Sequence, residues 1–310
     1  MKTIREYLEI YAVYYGSRLK RNEKEDFLKY VEKECKENDL NVTRQTNVSS
    51  LLSITNLIIG DINKADIVIA TAYDTPSKVF QKQYTYFPFS PSRNKKSEKT
   101  SLLIETLMIL FWAFIIALST YFLSNQNLIT KIISILLIVF SIYRIFKLTS
   151  SKSPSSNFSM NNASVALLMK LALENKTNTA YVLLDQSVMS YEGIKKFKET
   201  ISKDKKVLFL MNLASGDKTI CMYQNDSSIS NYFAQKIPNV IEKKVKDNAN
   251  KGFLEFFPNG SILVTGDNVE EQLAFKNART EKDIQIDISR LQTIEQTIKE
   301  LINDKDIISK

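Results

Sequence analysis

Residues 65 to 76 read ADIVIATAYDTP, an apolar run that stops at an acidic turn. The β-branched Ile67, Val68 and Ile69, with no charge from Ile67 to Tyr73, predict a strand buried on both faces, the kind that fills the middle of a parallel sheet. Upstream, residues 3 to 18 and 22 to 37 carry helical periodicity, and TRQTNV (43 to 48) and LLSITNLII (51 to 59) read as strands. Downstream, NASVALLMKLALE (162 to 174) reads as a helix capped near Asn161 or Asn162, and TAYVLLD (179 to 185) as a strand. EGIKKFKETIS (192 to 202) is an expected helix, KVLFLMNL (206 to 213) a second continuous apolar strand, and SRLQTIEQTIKELI (289 to 302) a closing amphipathic helix. Alternating helices and apolar strands predict an α/β fold, a three-layer sandwich around a mixed, mainly parallel sheet.

A different pattern interrupts this alternation. Residues 102 to 123, LLIETLMILFWAFIIALSTYFL, carry one charge, Glu105, and are long enough to cross a hydrocarbon core of roughly 30 Å as a helix. After the link SNQN, residues 128 to 146, LITKIISILLIVFSIYRIF, place Lys131 and Arg144 near the ends, where long side chains reach the headgroups. Apolar residues all round each helix favour a transmembrane hairpin over two core helices. Arg93, Lys95, Lys96 and Lys99 precede the first span, and Arg144, Lys147 and Lys152 end or follow the second, so both hydrophilic parts are expected on the cytoplasmic side of a cell membrane crossed twice. The hairpin, 92 to 154, is expected as an insertion into one domain made of 1 to 91 and 155 to 310. The aromatic cluster YTYFPF (84 to 89) is expected as a juxtamembrane anchor.

The 310 residues include 42 Lys plus Arg, 34 Asp plus Glu and no histidine, for a net charge of +8. Without imidazole the chain cannot build a Ser-His-Asp or Cys-His site or a His-ligated zinc. Cys35 and Cys221 are too few for a four-thiolate metal site and suggest no disulfide scaffold. The net charge reads as a solvated face beside anionic lipid, and no basic-aromatic motif suggests nucleic acid.

Several motifs then resemble, in order, those of the zinc aminopeptidase, glutamate carboxypeptidase, transferrin receptor and nicastrin family. IVIATAYDTP (67 to 76) is similar to a strand ending in AHYDT, with Ala72 at the zinc-binding His position and Tyr73, Asp74 and Thr75 retained. MNNASVALLMKLA (160 to 172) resembles the DNASG turn, with Asn161 in place of the metal-bridging Asp while Asn162, Ala163 and Ser164 match. DQSVMSYEGIKKF (185 to 197) is similar to the segment that supplies a glutamate base and a glutamate ligand, and those positions hold Ser187 and Val188, beside matching Asp185, Gly193 and Phe197. FLMNLASGD (209 to 217) puts Ala214 where an NLD motif has its ligand Asp, and RTEKD (279 to 283) puts Arg279 at the His of an HTxxD motif. The resemblance implies a zinc-aminopeptidase-like fold whose metal and base positions have all changed. Two zinc ions need several His and carboxylate donors at about 2.0 to 2.2 Å; Ala72, Val188 and Ala214 offer none, Asn161 is uncharged, Ser187 is a poor base and Arg279 brings a cation.

No cofactor is expected from this set. Tyr73, Asp74, Asn162 and Asp185 are the expected cleft-lining residues. Asp74, Asp185, Asp217 and Asp283 stand near the motif positions; Asp74 and Asp185 are read as strand caps or partners of lysines rather than as ligands of Mg or Ca, and Arg279 as an ion-pair partner of one of the four. Ser187 or Ser215 with Lys195 is a weak nucleophile pairing in a lysine-rich chain, and the stretch 260 to 267 and the Gly216-Asp217 pair read as turns, not phosphate loops. The expected function is a non-catalytic, membrane-anchored pseudo-peptidase, a peptide-binding or scaffold subunit whose partner is an integral membrane transporter or protease. The alternative is a hydrolase with a rebuilt, non-zinc site. A Lys-, Asn- and Ile-rich composition is similar to that of AT-rich Gram-positive bacteria, where such subunits serve the maturation, export or immunity of peptide antibiotics.

Overall fold

The computed structural model describes residues 2–48, 53–81, 83–124, 127–150, 152–154, 157–175, 178–202, 204–246, 251–304 and 307. The chain begins with α1 (Ile4–Leu8), whose capping Thr3 hydroxyl accepts from the Glu6 N–H at 3.3 Å while the Glu6 carboxylate takes the Thr3 N–H at 2.6 Å. A π-type turn (Glu9–Tyr14) follows, and the helix expected to reach residue 18 ends there. Gly16 permits the break, because a Cβ at that position would lie 2.5 Å from the Ala12 carbonyl oxygen. Next come α2 (Arg21–Glu37), β1 (Val42–Val48), β2 (Ser53–Ile59), β3 (Ile67–Ala72) and the two-residue β4 (Thr85–Tyr86). The long helices α3 (Pro91–Leu123) and α4 (Leu128–Thr149) precede a π-type turn (Phe158–Asn162) that runs into α5 (Ala163–Glu174). The remaining elements are β5 (Thr179–Leu184), α6 (Glu192–Lys198), β6 (Lys206–Met211), β7 (Lys218–Tyr223), α7 (Ser228–Lys236), β8 (Val240–Lys244), β9 (Ser261–Val269), β10 (Gln272–Lys276) and α8 (Ile288–Asn303). Residues 51 and 52 of the expected second strand, and Asn125 and Gln126 of the expected link, lie outside the described residues.

One mixed sheet runs in the order β1-β2-β5-β3-β6-β9-β10-β4, with β7 paired to β9 and β8 to β7. Its centre is parallel: β3 pairs with β5 from Ile67↔Thr179 to Ala72↔Leu184, β3 with β6, and β6 with β9. Antiparallel β1 and β2 extend one side; β7, β10 and β4 complete the other. All six residues of β3 are buried, as a strand covered on both faces requires. Alternation divides them: Ile67 and Ile69 pack with Phe27, Leu167, Phe233 and Ile298 from α2, α5, α7 and α8, whereas Val68, Ala70 and Ala72 face Ile194, Phe197 and Phe253. These two apolar layers make the three-layer sandwich. In α5 every residue from Ala163 to Ala172 is buried, and the one charge among these, Lys170, pairs with Glu174 at the end of the helix at 2.8 Å and with Glu295.

The helices α3 and α4 are inserted between β4 and α5. They are long and apolar enough to cross a membrane, and only 6 % and 11 % of their apolar stretches is buried. They pack on each other, with Ser119, Ser134 and Ser141 buried and the Trp112 and Phe140 ring centroids 5.4 Å apart, and leave Leu107, Phe111, Phe114 and Leu136 exposed. A soluble monomer rarely shows an apolar surface of that extent. The first turns of α3 are bonded to the 80–87 segment beside the sheet. Asn94 bonds both backbone groups of Phe87, at 2.8 and 2.7 Å, and Ser101 Oγ accepts from the Phe80 N–H at 3.1 Å.

Two sequence expectations fail here. Tyr84 and Phe87 of YTYFPF are buried in the soluble core and Thr85–Tyr86 pair with β10, so the cluster is not a lipid anchor. Residues 261 to 267 form β9 beside the parallel centre, because Ile262, Leu263 and Val264 outweigh the flanking glycines.

Candidate functional site

Parallel β3, β5 and β6 end at one edge of the sheet, and in open α/β sheets the crevice outside the carboxyl ends of the strands is where ligands bind. Tyr73 and Asp74 follow β3, Asp185 to Val188 follow β5, and Asn212 to Ala214 follow β6; Asn161 and Asn162 enter from the turn before α5. All ten expected positions are located by the structure, and nine of them, Ala72, Tyr73, Asp74, Asn161, Asn162, Asp185, Ser187, Val188 and Ala214, gather at this edge, each buried.

Hydrogen bonds within the site occupy most of their polar atoms. Asp74 Oδ1 accepts from the N–H groups of Ser187 (2.8 Å) and Val188 (3.2 Å). Burial raises the Asp74 carboxyl to about 6, while Lys24 and those two N–H groups act in the opposite direction. Asp185 is paired with Lys24 at 2.5 Å, and also accepts from the N–H groups of Thr55 (3.0 Å) and Gln186 (2.8 Å). The Ser187 hydroxyl donates to the Asp185 carbonyl at 2.8 Å, and Lys195 pairs with Glu192 at 2.7 Å, so these two do not form a serine-lysine dyad. Asn161 Oδ1 accepts from the Asn212 N–H at 2.9 Å. Both asparagines, at φ of 75° and 45°, occupy the left-handed region, a backbone cost that persists only where surroundings fix it. Gly193 brings α6 close, since a Cβ there would fall 1.9 Å from the Asp185 carbonyl oxygen.

The sequence reading missed the two cations that organise this edge. Arg18, fully buried, donates to the carbonyls of Tyr73 (2.5 Å), Tyr11 (2.7 Å) and Tyr15 and to Asn162 Oδ1, and its guanidinium lies 4.7 Å from the Phe27 ring centroid. Burial lowers its pKa to about 9, with Asp74 opposing the shift, so it remains a cation at neutral pH. Asn162 stands at the expected N-cap position of α5 but makes no side-chain capping bond; its amide donates to the Gly16 carbonyl at 3.0 Å and cross-links the N-terminal segment. Lys24 reaches Asp185 from α2. Both lie in the polar string SRLKRNEK (17 to 24), where only the neighbouring Gly16 hints at a close approach.

Arg279 does not pair with the clustered carboxylates, contrary to expectation. Its Nε donates to the Ser77 carbonyl at 2.8 Å, its Nη1 pairs with Glu98 of α3 at 2.9 Å, and the guanidinium lies 5.5 Å from the Tyr84 ring centroid. The reason is local: the Val79 N–H binds the Arg279 carbonyl at 3.1 Å and holds the 77–80 segment alongside. Asp217 is exposed. Asp283 is buried and takes the Ser159 N–H on both oxygens, at 2.8 and 3.0 Å.

Zinc does not fit these residues. Ala72, Val188 and Ala214 present no donor atom, and the nearby carboxylates already hold backbone N–H groups or Lys24. Among the described residues no three of His, Cys, Asp and Glu converge as a metal-holding group.

Burial raises the Asp283 carboxyl to about 7, against the lowering effect of the Ser159 bonds. An unfolded Asp titrates near 4. Between these values the folded chain holds a proton that the unfolded chain has released, so stability falls as pH rises from about 4 to about 7. Asp283→Asn, which keeps an acceptor for Ser159, is expected to flatten that decline and to exceed the parent in stability at pH 8. Thermal midpoints measured from pH 5 to 8 check this, and parallel curves for the two proteins would contradict it.

No protein-family model and no curated protein sequence matches the chain. Solved structures with the same fold do exist. The glutaminyl cyclase of Porphyromonas gingivalis is 10% identical over 97% of this chain and 95% of its own, with a TM-score of 0.56. That of Bacteroides thetaiotaomicron is 11% identical, over 97% and 95%, with a TM-score of 0.54. LapA, an aminopeptidase of Legionella pneumophila, is 12% identical over 97% of this chain and 71% of its own, with a TM-score of 0.50. The fold is therefore zinc-aminopeptidase-like.

Proposed function

We propose that this chain is a non-catalytic, membrane-anchored relative of the zinc aminopeptidases that serves as a peptide-binding or scaffold subunit of a bacterial membrane complex. The observation that carries the reading is the occupation of the catalytic edge: Lys24 neutralises Asp185, and Arg18 ties Tyr73 and Asn162 to the N-terminal segment. A dinuclear metal site organises that edge through charge; here a buried guanidinium and an ion pair take over the cross-linking. A peptide is, on this reading, recognised at the strand ends around the buried Tyr73, Asp74, Asn162 and Asp185, where Asn212 Oδ1 is buried and without a partner among the described residues. On this reading α3 and α4 span the membrane, the soluble body lies on the cytoplasmic side, and the partner is an integral membrane transporter or protease. Service to peptide antibiotic maturation, export or immunity fits a chain of this composition.

A second reading, a hydrolase with a rebuilt non-zinc site, is favoured by the carboxyls of Asp74 and Asp283, which burial raises into the range useful for proton transfer. One experiment separates the two. The full chain, purified in mild detergent, is assayed for zinc by elemental analysis and for turnover of aminoacyl and N-terminal glutaminyl peptides. The expected result is no stoichiometric zinc and no turnover. Close to two zinc atoms per chain would overturn the motif correspondence, and metal-independent turnover abolished by Asp74→Asn would establish the second reading.

A further inference from the structure

Where the soluble body meets the two apolar helices, a cavity of about 320 Å³ opens between the 77–80 segment and the last turns of α4. Lys78, Arg144, Lys147 and Lys152 line it together with Phe80 and Met108, and no acidic side chain does. Lys78 is paired with Glu281 at 2.8 Å, but Arg144, Lys147 and Lys152 make no ion pair among the described residues. Arg144 is held in place by aromatic faces, 5.2 Å from the Trp112 ring centroid and 5.9 Å from that of Phe140. Three cations without an ion-pair partner among the described residues line one concave, partly apolar site, a charge arrangement that attracts an anion.

The level of the cavity identifies the anion. Met108 precedes Ser124 by 16 residues and Arg144 follows Asn127 by 17. At about 1.5 Å per residue both lie roughly 25 Å from the connecting link, near the far face of a hydrocarbon core of about 30 Å. Lys147 and Lys152 then stand at headgroup depth. The neighbouring surface is apolar, with Leu107, Phe111 and Phe146 exposed to acyl chains and Phe80 exposed at the rim.

We propose that this cavity binds the phosphate headgroup of an anionic phospholipid, with its acyl chains along α3 and α4. Binding there fixes the depth and tilt at which the soluble body sits on the bilayer. The inference rests on the reading that α3 and α4 span the membrane, and the experiment tests the two separately.

The full chain is floated with vesicles of phosphatidylcholine alone; failure to co-float rejects the spanning reading itself. Chain that does float is then examined by native mass spectrometry in mild detergent with added phosphatidylglycerol or phosphatidylcholine. The expected result is one phosphatidylglycerol retained several-fold more strongly than phosphatidylcholine. The variant Arg144→Gln, Lys147→Gln, Lys152→Gln should lose the preference. A control, Lys95→Gln, Lys96→Gln, Lys99→Gln, removes the same charge from the same end of the hairpin, at exposed positions outside the cavity, and should keep it. Equal loss in both variants would reduce the effect to general surface charge and overturn the site, as would equal retention of the two lipids by the parent. Displacement of phosphatidylglycerol by millimolar inorganic phosphate would reassign the cavity to a soluble phosphate compound. Each variant's thermal midpoint is compared with the parent's, and Lys147→Gln alone, on an exposed side chain, should weaken retention in part should the triple variant fail to fold.

Discussion

Arg18→Met is expected to lower the thermal midpoint of the protein more than any single substitution in the apolar hairpin or at the surface. The guanidinium supplies donors to the buried carbonyls of Tyr11 and Tyr73, to buried Asn162 Oδ1 and to the partly buried Tyr15 carbonyl. Methionine fills similar volume but donates nothing, and each buried acceptor left without a partner costs about 1–3 kcal/mol. Contact with the Phe27 ring is lost as well, while relief from desolvating a charge offsets part of the loss. A net loss of about 3 kcal/mol or more follows, which corresponds to roughly 6–12 °C in a body of this size. Arg18→Lys should recover little, because one ammonium cannot span acceptors that a planar fork reaches. Arg5→Met is the control: its pair with Glu9 is exposed, at 3.8 Å, and surface pairs of that kind contribute about 0–1 kcal/mol. Unfolding followed by intrinsic fluorescence in detergent measures all three. A loss for Arg18→Met no larger than that for Arg5→Met would mean that the buried cation does not organise the edge, and the proposed replacement of the metal centre would fall with it.

The size of that expected effect contrasts with how little of it was visible in the sequence. β3 was legible because an uncharged run from Ile67 to Tyr73 has few alternatives to a buried strand, and α3 and α4 because nothing but lipid or a large core accommodates apolar residues on every side. The ends of β3, β5 and β6 were legible as a set because short local motifs survive in order. Arg18 and Lys24 were not: their partners Asn162 and Asp185 lie 144 and 161 residues away, and a polar string such as SRLKRNEK reads equally well as a solvated surface. Arg279 misled for the converse reason, since its motif position suggested the site while tertiary packing gave it Ser77 and Glu98. β8 escaped because an edge strand reading VIEKK carries no apolar alternation, and lysine on an edge strand discourages pairing with other chains. YTYFPF was misassigned because aromatic composition does not separate a membrane belt from a core, whereas burial of Tyr84 and Phe87 does.

Excising the apolar part of the hairpin is expected to convert the chain into a soluble protein that keeps its fold. The sheet gives the reason: β3, before the hairpin, is hydrogen-bonded to both β5 and β6, after it, and β4 pairs with β10. The two halves therefore share one sheet and one pair of apolar layers. Cutting at residue 92 would be too early, because it removes the Asn94 bonds to Phe87 and the Glu98 pair with Arg279. Replacing residues 103 to 147 retains these and also Ser101, which accepts from the Phe80 N–H. Packed antiparallel helices lie about 8–10 Å apart, and a Gly/Ser linker of six residues has an r.m.s. span of about 13 Å, so it bridges the cut ends without strain. Closure entropy rises by only about 0.6 kcal/mol per doubling of loop length, so the shorter connection brings no closure penalty. The expected product is monodisperse without detergent, with a thermal midpoint within a few degrees of the full chain, whereas removal of 92 to 154 should lower the midpoint further. Size-exclusion chromatography and thermal unfolding measure both. Aggregation of the shorter excision in the absence of detergent, with loss of its cooperative transition, would show that the segments before and after the hairpin need the two apolar helices to stay together. The hairpin would then be part of the fold's support and not an insertion into it.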